Sequence, residues 1–78
     1  MNNLEIYDSV FIEIFKVEKK DLLELKHNDT YEWDSLTHMT LIATLEEKFN
    51  IMFEIDDIID FTSYQQGKTV LKKYGKDI

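Results

Sequence analysis

Asp34-Ser35-Leu36 stands near the middle of the chain, and His38 follows one helical turn after Asp34. Aspartate is a strong helix N-cap, so the cap falls to Asp34 and leaves Ser35 on the first turn with its hydroxyl toward solvent. Unsatisfied amide N–H groups and the positive end of the helix dipole stabilise an anion at that point. The position therefore suits a phosphate ester on Ser35, and phosphorylation and phosphopantetheinylation fit it equally. A bare Asp-Ser-Leu tripeptide is weak, because a helix start accounts for it without any function.

As a nucleophile, Ser35 lacks a convergent base. Serine catalysis needs a base held by a third group, and only His38 and the distant His27 are available. His38 lies at the edge of an apolar stripe, where a histidine ordinarily packs and makes one hydrogen bond; a role beside a phosphate on Ser35 is the alternative. The two histidines and the carboxylates show no metal-ligand spacing, and Asp56, Asp57 and Asp60 lack the alternating oxygens and glycine of a calcium loop. No enzyme is read here.

These residues depend on the elements around them. Leu4, Tyr7, Val10, Phe11, Ile14 and Phe15 recur at helical spacing and predict a first helix over residues 3 to 16, capped by Asn2 or Asn3. A long loop follows, with one capped turn from Asp21 to Glu24, turn chemistry at His27-Asn28-Asp29-Thr30, and anchors among Leu22, Leu23, Leu25 and Tyr31. A loop of that length in a small domain points to a special architecture. Ser35 to Phe49 reads as the second helix, stopped at Asn50. A short acidic third helix lies within residues 54 to 61, with Ile55, Ile58, Ile59 and Phe61 as its apolar members. Ser63 and Gln66 form a capping-box pattern for a fourth helix that uses Tyr64, Val70, Leu71 and Tyr74 and ends at Gly75.

Composition narrows the classes. A chain of 78 residues predicts one domain over residues 1 to 78, with a core of aliphatic and aromatic side chains alone, since there is no cysteine. Proline is absent, and the hydrophobic share of 44% predicts an all-α bundle, not a disordered acidic tail. The net charge is −7 and every basic residue is lysine, which argues against nucleic acid as a partner. MNNLEIYDSV has no basic n-region, and no apolar run approaches about 18 residues, so neither a signal peptide nor a membrane span is expected, and a cytoplasmic monomer is.

The second helix carries two stripes. Leu41, Ile42, Leu45 and Phe49 share a face suited to a core. Leu36, Met39 and Ala43 lie about a quarter turn away and are continued by Glu46 and Glu47. That second set is either the edge of a wide core stripe or an exposed apolar patch rimmed by acid, which suits partners with basic patches.

With these elements in order, the chain resembles the acyl carrier proteins. WDSLTHMTLIATLEEKFNI holds that family's Asp-Ser-Leu, then Ile42, the Leu-Glu-Glu of residues 45 to 47, and Phe49 at the expected spacings, and the short acidic third helix and the Thr62-Ser63 start of the fourth follow without a gap. The resemblance implies a four-helix bundle with a long first loop and a short third helix. It implies a 4′-phosphopantetheine arm, drawn from coenzyme A, on Ser35, with Asp34 helping to present it to a Mg²⁺-dependent phosphopantetheinyl transferase. Leu36, Met39, Ala43, Glu46 and Glu47 then look like the partner-facing surface, and Ile42, Leu45, Phe49, Ile58 and Phe61 like the lining of a core that admits an acyl chain.

Such a protein carries an acyl group as a thioester and catalyses nothing. Three departures set it apart from fatty-acid-synthase carriers. Trp33 replaces a small residue before the Asp and is expected, with His38, to flank the arm; Thr37 and Thr40 stand where acids are common; and Glu54 occupies the place of a frequent proline. These look more like the discrete carriers of specialised lipid, polysaccharide or natural-product pathways, served by an acyl ligase and acyltransferase or synthase enzymes. An aminoacyl or peptidyl carrier loaded by an adenylation enzyme is the near alternative, and an unmodified acidic adaptor the distant one.

Overall fold

The computed structural model describes residues 2–27 and 33–78. Helix α1 spans Asn3–Phe15 and begins where the Asn2 side-chain oxygen accepts the Glu5 N–H at 2.8 Å. Tyr7, Val10, Phe11 and Phe15 are buried along it, the spacing that turns one helical face inward. Lys16 closes the helix in the left-handed conformation (φ 58°) and donates its N–H to the Ile12 carbonyl.

The connection that follows is not a plain loop. Its first part winds into a 3₁₀ helix, Lys19–Glu24, one turn ahead of the capped turn expected from Asp21 to Glu24. Glu18 caps it, and Asp21 accepts the Glu18 N–H in return, so two donors at the start are satisfied reciprocally. With three residues per turn, Leu22 and Leu25 line up on one side and are both buried, while Leu23 faces solvent. The chain then pairs with the start of the last helix: His27 N–H donates to the Thr62 carbonyl (2.9 Å) and Tyr64 N–H to the Leu25 carbonyl (3.0 Å). Residues 28–32, which include Tyr31 and most of the expected turn, lie outside the described residues.

Helix α2 spans Ser35–Phe49 and ends at Asn50, again left-handed (φ 54°). It packs on α1 through Leu41, Ile42, Leu45 and Phe49, all buried, as the core stripe required. Helix α4 spans Tyr64–Lys73; Ser63 Oγ accepts the Gln66 N–H at 2.9 Å, and Gly75 terminates the turn with φ +80°. Gly67 is needed for packing: a Cβ there would come within 2.2 Å of both Phe61 Cζ and Tyr7 Oη. Next to it, Tyr7 donates to the Tyr64 carbonyl (2.6 Å) and Tyr64 donates to the Asp8 carboxylate, which ties α1 to α4 through buried polar groups. Burial foremost raises both phenols well above their ordinary pKa, so they remain protonated donors.

Helix α3, Ile55–Asp60, has six residues and no side-chain cap, too short to persist alone. It is held from α4. Lys73 Nζ and Tyr74 OH both donate to Asp57, and Tyr74 OH accepts the Glu54 N–H at 2.9 Å. These bonds hold the Asp57 carboxyl below the usual carboxylate range, led by the bond from Lys73. Of its expected apolar members, Phe61 is buried and Ile58 half-buried, whereas Ile55 and Ile59 face solvent. The described residues thus form an all-α bundle of four α-helices with one 3₁₀ helix in the long first connection.

Candidate functional site

The outward side of the site is built by the start of α2. Asp34 is extended (φ −90°, ψ −174°), and its Oδ1 accepts the Thr37 N–H at 2.9 Å. Its carbonyl takes the first intrahelical bond, from His38 N–H at 2.8 Å. That cap, the Thr37 backbone N–H first and the Thr37 hydroxyl second, holds the Asp34 carboxyl below its ordinary pKa. Ser35 is the first helical residue and is exposed. It therefore presents a primary hydroxyl at the positive end of a 15-residue helix, beside amides with no intrahelical acceptor.

The inward side starts one residue earlier. Trp33 is 0% exposed and packs among Phe15, Phe11 and Phe61, with ring centroids 5.1, 5.7 and 6.4 Å away. Its indole Nε1–H donates to His38 Nδ1 at 2.9 Å. Because an indole N–H can only donate, His38 Nδ1 must accept, and the imidazole proton sits on Nε2, 2.9 Å from the Ile58 carbonyl. His38 makes two bonds, one buried and one part-buried, where one was expected, and links the residue before the cap to α3. With both ring nitrogens engaged, it offers no lone pair to Ser35.

Trp33, expected to flank the arm, is fully buried directly before the Asp34 cap. An indole supplies one of the largest apolar areas available to a small core, and here its one polar atom finds a buried acceptor. His38 is likewise enclosed, and the outer face of its ring is covered by His27, stacked at 4.5 Å with an interplanar angle of 21°. Burial first, and the His38 ring second, lower the His27 pKa from the ordinary 6.5, with Asp34 opposing. His27 Nε2 is buried without a hydrogen-bond partner among the described residues.

The second stripe of α2 resolves in favour of exposure. Leu36 is 79% exposed, and Met39, Ala43 and Glu47 are exposed beside it. Glu46 departs from this face: it is half-buried, and its carboxylate accepts the Phe53 N–H at 2.8 Å, which fastens the turn between α2 and α3. Met52, Ile55 and Ile59 add exposed apolar side chains from that turn and from α3. Their exposure was not readable from spacing, since a six-residue helix has too few turns to define a face. The expected core residues Ile42, Leu45, Phe49 and Phe61 are buried, with Ile58 half-buried against them, and Phe53 joins them unforeseen.

A family model described as the phosphopantetheine attachment site matches residues 9–66, which span the start of α2 and its packing partners. The chain belongs to that family. It is a phosphopantetheine carrier, and carriers of this kind take the cofactor covalently and are not themselves catalysts. No curated protein and no solved structure matches the chain. The residues present fit such a group: attachment requires an accessible hydroxyl that can be esterified to a phosphate, and the first turn of α2 offers one at the positive end of the helix. Among the described residues of the carrier, no helix is long and apolar enough to cross a membrane.

Proposed function

We propose that Ser35 bears the 4′-phosphopantetheine arm and that the protein carries an acyl or aminoacyl group for enzymes of a specialised biosynthetic pathway. The observation that carries this reading is the division of labour at the start of α2, where Asp34 caps the helix and Ser35 is left exposed on its first turn. The bound arm supplies a terminal thiol that holds a carboxylic acid as a thioester. Ser35 anchors it, Asp34 fixes the backbone that presents the hydroxyl to the transferase, and the N-terminal amides of α2 stabilise the phosphodiester.

Leu36, Met39, Ala43 and Glu47 form the face that partner enzymes with basic patches recognise. Its support is the exposed apolar patch with acid at its rim, on a chain of net charge −7. The protein acts as a single-domain cytoplasmic monomer, loaded by a ligase and unloaded by an acyltransferase or synthase. An unmodified adaptor has no use for an exposed serine at that position.

Incubation with coenzyme A and a broad-specificity transferase, followed by intact-mass measurement, tests the reading. A mass gain of one phosphopantetheine that disappears in Ser35→Ala is expected. No gain, or a gain that survives the substitution, sinks it.

A further inference from the structure

We infer that Trp33, His38 and the Ile58 carbonyl form a plug that closes the core of this carrier to its cargo, so that the acyl group is carried in solvent and is compact or polar, aminoacyl groups included. This rests on Ser35 as the attachment residue. Among the described residues, Trp33 and His38, which link the start of α2 to α3, stand between Ser35 and the apolar interior. That passage is filled by hydrogen-bonded groups: the indole N–H on His38 Nδ1 and His38 Nε2–H on the Ile58 carbonyl, each at 2.9 Å.

A chain pushed through would leave the Trp33 indole N–H and the His38 ring unpaired beside Phe11, Phe15 and Phe61, and would break the part-buried bond to the Ile58 carbonyl. Unpaired buried polar groups are strongly unfavourable, and an alkyl chain supplies no replacement donor or acceptor. Behind the plug the packing is already close. Leu41, Leu45, Phe61 and Leu71 are fully buried, and a single added Cβ at Gly67 would collide with Phe61 and Tyr7. His27 stacks on the outer side of His38 and backs the plug from the long connection. A long aliphatic chain would thus remain in water, whereas a short or polar group is compatible with it.

Acetyl and octanoyl thioesters, loaded onto the full chain from the corresponding coenzyme A esters, make the test. In the native protein, hydroxylamine cleaves both at the same rate, and the Trp33 indole N–H and the Ile42 and Leu45 methyl resonances do not depend on chain length. Slower cleavage of the octanoyl form, with shifts at those resonances, overturns the inference. Trp33→Phe removes the donor and part of the ring, and octanoyl cargo is then shielded from hydroxylamine; chain-length independence persisting in this variant shows that Trp33 is not the closure. His38→Leu serves the same comparison where Trp33→Phe fails to fold. A missing mass gain at Ser35 would remove the attachment reading alone, because the plug is also judged on the unloaded chain. There the Trp33 indole N–H exchanges with solvent only on global unfolding, and faster exchange through local opening overturns the plug.

Discussion

Trp33 and Leu36 stand three residues apart in one motif and have opposite fates, the first 0% exposed and the second 79%. The inward side of the motif ends in an aromatic cluster, a buried bond from Trp33 to His38, and a part-buried bond from His38 that joins α2 to α3. The outward side ends in a capped helix start, an exposed hydroxyl and an apolar patch. The difference assigns separate tasks to neighbouring residues. The buried half holds the backbone of Asp34 and Ser35 in one place, and the exposed half is free to meet other molecules without any loss of core packing.

Substitutions on the inward side carry the largest effects. Trp33→Ala removes the largest fully buried side chain and an indole donor, and a loss of about 3 to 5 kcal/mol is expected. For a domain of this size that is most of the stability available, so far-UV circular dichroism should show a largely unfolded chain at ordinary temperature. His38→Ala leaves the indole N–H and the Ile58 carbonyl unpaired and is expected to lower stability by about 1 to 3 kcal/mol in a denaturant titration. A loss equal to that of an exposed residue would break the contrast between the two sides.

Gly67→Ala tests how tightly the interior is filled. Alanine ordinarily stabilises a helix interior relative to glycine, but here the methyl meets Phe61 and Tyr7, so a loss of about 1 to 3 kcal/mol replaces the gain. Stabilisation of the variant would show that the aromatic cluster yields easily. On the outward side, Leu36→Ala should change stability by less than about 0.5 kcal/mol while weakening binding to partner enzymes, as read by a melting curve and a pulldown.

Acid separates the two sides once more. The folded-state pKa of His27 lies below its unfolded value of 6.5, so the unfolded chain binds the proton more readily in the interval between them. Stability therefore falls as pH drops below 6.5 toward the lowered value, and His27→Gln should flatten that part of the profile. Asp34 and Asp57, whose pKa values are also lowered, contribute stability at neutral pH that is lost only further down, as pH falls from the ordinary carboxylate range through their folded values.

Much of the fold was legible in the sequence because its signals are local. Asn2, Asp34 and Ser63 are caps whose hydrogen bonds close within three residues, and Asn50 and Gly75 stop helices through their own backbone conformation. The face of α2 was legible too, since 15 residues give enough turns for a period to show. The 3₁₀ helix was half legible: the short-range capping pattern was present, but the partner of Asp21 is Glu18, before the turn and not after it. The outward face of α3 was hidden because its position is imposed from α4 by Lys73 and Tyr74, across 16 or 17 residues of chain.

By itself the sequence determined an all-helical chain with a capped serine at the start of its second helix, since propensity, capping and periodicity act over a few residues. Only the tertiary structure decided that Trp33 and His38 face inward, that Glu46 fastens a turn, and that Leu36 and Met39 are exposed. Those outcomes depend on which distant groups come to fill the same space and share the same hydrogen bonds. Packing and hydrogen-bond pairing of that kind are properties of the assembled bundle and not of any one segment.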